Sequence, residues 1–292
     1  MFIISIFIFL LFTIIMLNNK NLKLISIIKT YINNDPKLHI KSYYYNRKYT
    51  IDELLPYIIE ILEDGISFRK IKSSICWSTI YKFHQKLVQF KIIENSYELN
   101  VNKYLTSLET LPQNYYTDTT FVCNKLGEES VGFNQQIKKH KTTKISIITD
   151  DFNIPISVNL TSGSPHDSTI LYKQLDELHN KHPLLFNKNK TLIADAAYDS
   201  KKLRDKVDEL KLGKLLTHKN IRNGKHKEIK DIYTMGEYLL LKQRINVEHS
   251  ICEYKKYKRC QLRYDRQLNT FSSFVYLASL KILIKKIGVY II

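Results

Sequence analysis

Three acidic residues stand far apart in this chain, each in a setting that would let it serve one chemical task. Asp118 lies in the middle of YYTDTTFV (115–122), Asp195 closes the apolar run TLIAD, and Glu248 sits in QRINVEHSICEYKKYKR (243–259), with Arg244 four residues before it and Lys255 seven after. Taken singly, each has an ordinary explanation: Asp118 as a turn acceptor, Asp195 as an N-cap, Glu248 as the i,i+4 partner of Arg244. Taken together they read differently. An aspartate inside a strand is disfavoured unless something rewards it, and α/β sheets present their ligands at the carboxyl ends of strands, where Asp195 falls. Two strand carboxylates and one helix carboxylate can converge on a pair of Mg²⁺ ions, hard cations that prefer oxygen ligands. Two such ions about 3.5–4 Å apart stabilise the attacking and leaving oxygens of an in-line phosphodiester displacement. At about 100° per residue on a helix, positions 241, 244, 248, 251 and 255 share one face, which places Arg244 and Lys255 beside Glu248 to hold phosphates.

These residues need a scaffold, and the pattern of the chain supplies one. KISIITD (144–150) and IPISVNL (154–160) flank the turn signal DFN and read as a hairpin. SGSPHDST is a loop leading into an amphipathic helix over 170–179, with Asp167 as its N-cap and His166 beside it. TLIADAAY (191–198) is a short apolar strand, 201–210 a helix, KLLTHK (214–219) a further strand, and 220–230 a basic loop. A long helix is expected over 234–256 and an apolar one over 271–287. Three strands, then helix, strand, helix, strand and helix make an α/β domain with a mixed sheet, here bounded at 112–286. His249 points off the Glu248 face, and Asp150, Asp151 and Asp199 read as turn or cap residues, Asp199 being the nearest rival to Asp195. Upstream, over 45–100, a helix at 51–63 stops at Gly65, a short helix covers about 67–72, and a second begins near Ser78. That pair suits a helix-turn-helix. Its second helix carries Ser78, Thr79, Tyr81, Lys82, His84, Gln85 and Lys86, with Trp77 as a core anchor.

Composition agrees with a nucleic-acid partner. The 292 residues hold 45 Lys and Arg against 28 Asp and Glu, a net charge of +17, and cations that neutralise phosphates release condensed counterions. A bias toward Lys, Asn, Ile and Tyr would raise the charge without any such purpose, so charge alone does not decide. The cysteines Cys76, Cys123, Cys252 and Cys260 form no C-x-x-C pair, which argues against a zinc ribbon or thioredoxin-type site, and they read as reduced, buried thiols. The N-terminal segment (1–18) contains FIISIFIFLLFTIIML (2–17), a little short of the roughly 20 residues that cross a bilayer. It reads as an upstream extension of a start at Met16, with a membrane anchor and a buried helix as the other readings.

In order along the chain, these motifs resemble the DDE transposases of insertion sequences. Asp118 in YTDTTFV matches the family's first aspartate, and Gly132 with KKHKTTKISIITDDFNIPISVNLTSGSPHDS matches its hairpin and following HDS. Asp195 in IADAAYDS matches the second aspartate, and Arg244, Glu248 and Lys255 reproduce R-x3-E-x6-K, which carries the catalytic glutamate. Leu241 stands where the family often has Tyr, leaving the DNA-facing edge of that helix open. The resemblance implies an α/β ribonuclease-H-like mixed sheet flanked by helices, with the helical region in front of it. It implies a DNA transposase that cleaves element ends and transfers the strand to target DNA. Asp118, Asp195 and Glu248 would be catalytic residues and ligands of two Mg²⁺ or Mn²⁺ ions, with Arg244 and Lys255 on DNA phosphates. The expected partners are element ends, target DNA and further copies of the chain, in whichever intracellular compartment holds the DNA. The alternative is a catalytically decayed or co-opted DNA-binding protein derived from a transposase.

Overall fold

The computed structural model describes residues 21–34, 48–134, 140–218 and 233–290. The apolar segment 2–17 and the basic loop 220–230 lie outside them, and among the described residues no helix is long and apolar enough to cross a membrane. Helix α1 covers 21–34. Helix α2 (Ile51–Asp64) starts on a reciprocal capping box between Thr50 and Glu53 and stops at Gly65. The glycine's φ of +67° is one that only a residue without Cβ adopts freely. A single 3₁₀ turn at Phe68–Lys70 follows, then α3 (Trp77–Gln89) and α4 (Ile92–Ser107).

The sheet follows: β1 (Asn114–Asn124), β2 (Thr142–Asp150), β3 (Pro155–Ser162), helix α5 (Asp167–Lys181), β4 (Thr191–Ala194), helix α6 (Lys201–Glu209) and β5 (Lys214–Thr217). Helices α7 (Met235–Lys242), α8 (Ile245–Lys255) and the short α9 (Lys258–Gln261) precede β6 (Leu262–Arg263), and α10 (Leu268–Tyr290) ends the fold. The strand order is β3-β2-β1-β4-β5, with β6 on the far end of β1. The expected mixed sheet is present, with β1 antiparallel to β2 and parallel to β4. Gly132 makes this hairpin possible. Its backbone bridges Thr142, and a Cβ there would stand 2.0 Å from the Ser164 hydroxyl.

Helix α10 buries Phe271, Phe274, Val275, Leu277, Ala278 and Ile282 around its circumference, as a helix running through a core must. One continuous apolar core therefore joins the sheet to α1–α4. His84 is drawn into it, bonding Ser273 on α10 at 2.8 Å; it is no surface residue of α3.

The structure corrects five expectations. The strand over 191–198 ends at Ala194, because the Asp195 side chain accepts from the Ala197 N–H and starts a 3₁₀ turn at Ala196–Tyr198. The strand expected over 214–219 ends at Thr217. The single helix expected over 234–256 breaks at Gln243 and Arg244. Leu241 and Val247 both pack on Tyr116, Ile193 and Leu216, yet on one regular helix they would point about 120° apart. The break turns both inward, and the Tyr116 hydroxyl pins it by donating to the Gln243 Oε1 at 2.9 Å. Trp77 is exposed, with the Arg69 guanidinium 5.1 Å from its ring, because it starts α3 on the outer side. Of the cysteines only Cys260 is buried; Cys76, Cys123 and Cys252 are free and exposed on a turn, an outward strand position and an outward helix position.

Candidate active site

Strand register brings the two aspartates together. Tyr116 pairs with Ile193 across the parallel β1–β4 ladder. The ladder ends at that pair; Asp118 lies two residues further along β1 on the same face, and Asp195 lies just past the end of β4, near enough for its carboxylate to act on Asp118. That face also carries α7 and α8, since Tyr116 and Ile193 pack on Leu241 and Val247. From it Arg244 reaches back across the site. Its guanidinium bonds Asp118 Oδ2 at 3.4 Å and Glu248 Oε1 at 2.5 Å.

Asp118 is the most constrained of these groups. Burial pushes its carboxyl up to about 6, and the carboxylates of Asp195 and Asp167 push the same way. The Thr119 N–H, 2.8 Å from Oδ1, and the Arg244 charge act against them. The site thus crowds acidic groups that lack enough positive charge of their own. This donor set, all carboxylate oxygen, suits a hard divalent cation. Among the described residues no three His, Cys, Asp or Glu side chains stand close enough to hold one metal ion. The reason is visible: a guanidinium lies between Asp118 and Glu248.

The structure therefore joins Asp118 to Glu248 through Arg244, with Asp195 near enough to Asp118 to act on its charge. It does not gather the five helix positions onto one face, since Leu241 and Ile251 are buried in the core while Glu248 and Lys255 are exposed. Lys255 ends α8, about 10 Å along the axis from Glu248. Asp150 and Asp151 are turn residues. Asp150 accepts the Phe152 and Ile154 N–H groups, and Asp151 accepts those of Gln113 and Asn114. Asp199 pairs with Arg204. His249 is exposed.

Two groups were missed in the sequence. His166, not Asp167, caps α5 by accepting from the Ser168 N–H. Asp167 is instead the first helical residue, 2.7 Å from the amino group of Lys144, which is buried in β2. A lysine inside the apolar strand KISIITD was the available signal, because a buried cation must find an anion. Tyr198, buried just beyond Asp195, places its hydroxyl under the influence of Asp118, Asp167 and Asp195.

A mixed sheet in the order β3-β2-β1-β4-β5, with an aspartate on β1, another just after β4 and a glutamate on a later helix, is a ribonuclease-H-like architecture. Residues 118–280, more than half of the chain, match the family described as the transposase DDE domain. The chain belongs to that family. Among solved structures it is similar to the piggyBac transposase in a synaptic complex with hairpin DNA. That match has a TM-score of 0.55 at 9% identity and covers 92% of this chain and 73% of that one, a likeness of fold. The Mos1 transposase in a paired-end complex with the left transposon end also matches, at 12% identity over 75% of this chain and 80% of that one. Its TM-score is 0.27. No curated protein sequence matches the chain.

Proposed function

We propose that this chain is a DNA transposase that cleaves DNA at the ends of its element and transfers the freed strand to target DNA. Asp118, Asp195 and Glu248 are its metal-binding catalytic residues. The observation that supports the reading is that Asp118, on β1, and Asp195, just past the neighbouring parallel strand β4, lie near enough to act on each other within the segment that matches the family. When bound, two Mg²⁺ or Mn²⁺ ions would supply charge stabilisation for the attacking and leaving oxygens. The chain's own residues do the rest by positioning. The sheet fixes two carboxylates, α8 brings the third, and Arg244 offers a guanidinium fork matched to a phosphate. Lys255 extends the phosphate-binding track along α8. The exposed side of α3, with Thr79, Lys82 and Gln85, belongs to a DNA-contacting helical region, and copies of the chain assemble on the DNA.

The test uses purified full-length chain, a duplex carrying the sequence that flanks its coding region, and Mg²⁺ or Mn²⁺. Asp118→Ala, Asp195→Ala and Glu248→Ala should each abolish metal-dependent cleavage while DNA binding and melting temperature are kept. Cleavage at the wild-type rate by any one of them removes that residue from the site. Tight binding by the wild-type chain with no cleavage in either metal supports the co-opted DNA-binding protein instead.

A further inference from the structure

A second feature lies outside the carboxylate site. Between the 3₁₀ turn at 68–70, α3 and the loop 264–267 the molecule opens a cleft of about 860 Å³, the size range of ligand sites. One wall, carrying Lys70 and Tyr81, precedes the segment that matches the family.

The lining is a mixture of aromatic faces and cations. Tyr81 is 41% exposed and Tyr264 40%, although tyrosine rings are ordinarily covered more fully. Each ring is held from behind. Tyr81 stands edge-on against buried Phe68 at 5.2 Å, and the Arg259 guanidinium lies 5.6 Å from the Tyr264 ring. Arg259 is itself buried and fixed by two hydrogen bonds to Asp265, at 2.8 and 3.1 Å. Each platform thus rests against a buried side chain. Lys70 and Arg266 stand exposed at the rim. Of the two acidic groups in the lining, Asp265 is taken up by Arg259, and Glu128 meets Arg266 at 3.5 Å with both side chains largely in water, a pair of little strength. Gln85 and Gln267 add amides that can both donate and accept.

From these observations we propose that the cleft binds an unpaired stretch of DNA, with bases stacked on Tyr81 and Tyr264 and phosphates on Lys70 and Arg266. Open aromatic faces reward bases whose own faces are free, whereas a duplex keeps its bases stacked inside. The location fits a path shared with the carboxylate site. Strand β6, which leads into the loop 264–267, pairs with Cys123 and Asn124 of β1, and five residues of strand separate Cys123 from Asp118, about 17 Å. One DNA molecule spans that distance in about five base pairs. The proposal rests on DNA being the substrate, as the reading above has it, but it does not rest on cleavage.

The experiment measures fluorescence anisotropy of the full chain with a labelled single strand and with the corresponding duplex, in EDTA so that no metal chemistry occurs. Tyr81→Ala and Tyr264→Ala should each weaken single-strand binding roughly tenfold; Tyr264→Ala should leave duplex binding unchanged, and Tyr81→Ala, on the DNA-contacting helix, should weaken it less than single-strand binding. Tyr81→Phe and Tyr264→Phe, which keep the rings, should bind like the wild type. Melting curves of the four variants check that each is folded. No loss in either alanine variant, an equal loss on the duplex, or failure of the wild-type chain to bind the single strand overturns the proposal. Failure of the cleavage reading appears separately, as wild-type cleavage by Asp118→Ala, and leaves this measurement untouched.

Discussion

Asp150 offers a stability measurement whose sign the structure dictates. It closes β2 and is fully buried. Its Oδ1 accepts the N–H groups of Phe152 and Ile154 at 2.9 Å each, and its Oδ2 accepts the Tyr104 hydroxyl at 2.6 Å, tying α4 to the sheet. Burial pushes its carboxyl from the ordinary 3.8 up to about 6; the three hydrogen bonds restrain the rise and the Asp151 charge adds to it. The native state therefore keeps this proton to higher pH than the unfolded chain does. The stability it contributes is fully present below 3.8 and is lost as pH rises through about 6. A difference of roughly two pH units, at about 1.4 kcal/mol each, amounts to about 3 kcal/mol. Asp150→Asn removes that dependence, because the amide is neutral throughout. Its Oδ1 keeps both backbone bonds, while its Nδ2 faces Tyr104 and forces that hydroxyl to act as acceptor, at a cost of about 1 kcal/mol. Relative to the wild type, the variant should be about 1 kcal/mol less stable near pH 4 and about 2 kcal/mol more stable near pH 7.5. Urea denaturation at the two pH values reads the difference directly. The same offset at both values would refute the reasoning, since it would mean that Asp150 titrates alike in the folded and unfolded chain.

Two further substitutions probe the packing around the two sites. Asp265→Asn leaves the buried Arg259 guanidinium without its charge partner and should cost about 3–5 kcal/mol in urea denaturation; a loss below about 1 kcal/mol would place the pair in solvent. Leu241→Tyr restores the residue common in the family at this position. Here it would force a larger side chain into the closed cluster of Tyr116, Ile193, Leu216 and Val247, so it should lower stability by about 1–3 kcal/mol. Unchanged stability would show that position 241 faces away from this cluster.

What the chain reveals before folding is local, and what it withholds is register. The hairpin of β2 and β3 was readable because apolar residues flank a turn signal, and Gly65 because a helix stop needs the left-handed conformation it adopts. The Arg244–Glu248 pair was readable because four residues on a helix bring side chains together. Its extension to Asp118 was not, since that partner lies 126 residues away. Nothing in TLIAD says which residue of β1 stands beside Asp195; the parallel pairing of Tyr116 with Ile193 says it, and burial of both against Leu241 and Val247 enforces the pairing. A slip of one residue would turn Asp118 to the opposite face. The helix break follows the same logic. The sequence over 234–256 has no proline, and its only glycine, Gly236, lies at the start of α7 rather than at the break, so local propensity favours one helix. The break occurs because Leu241 and Val247 must reach one core, and by occurring it sets Arg244 at the joint, between Asp118 and Glu248. Arg244 is thus placed by the apolar packing of Leu241 and Val247, three residues to either side of it, which is why its contact with Asp118 could be seen only in the folded chain.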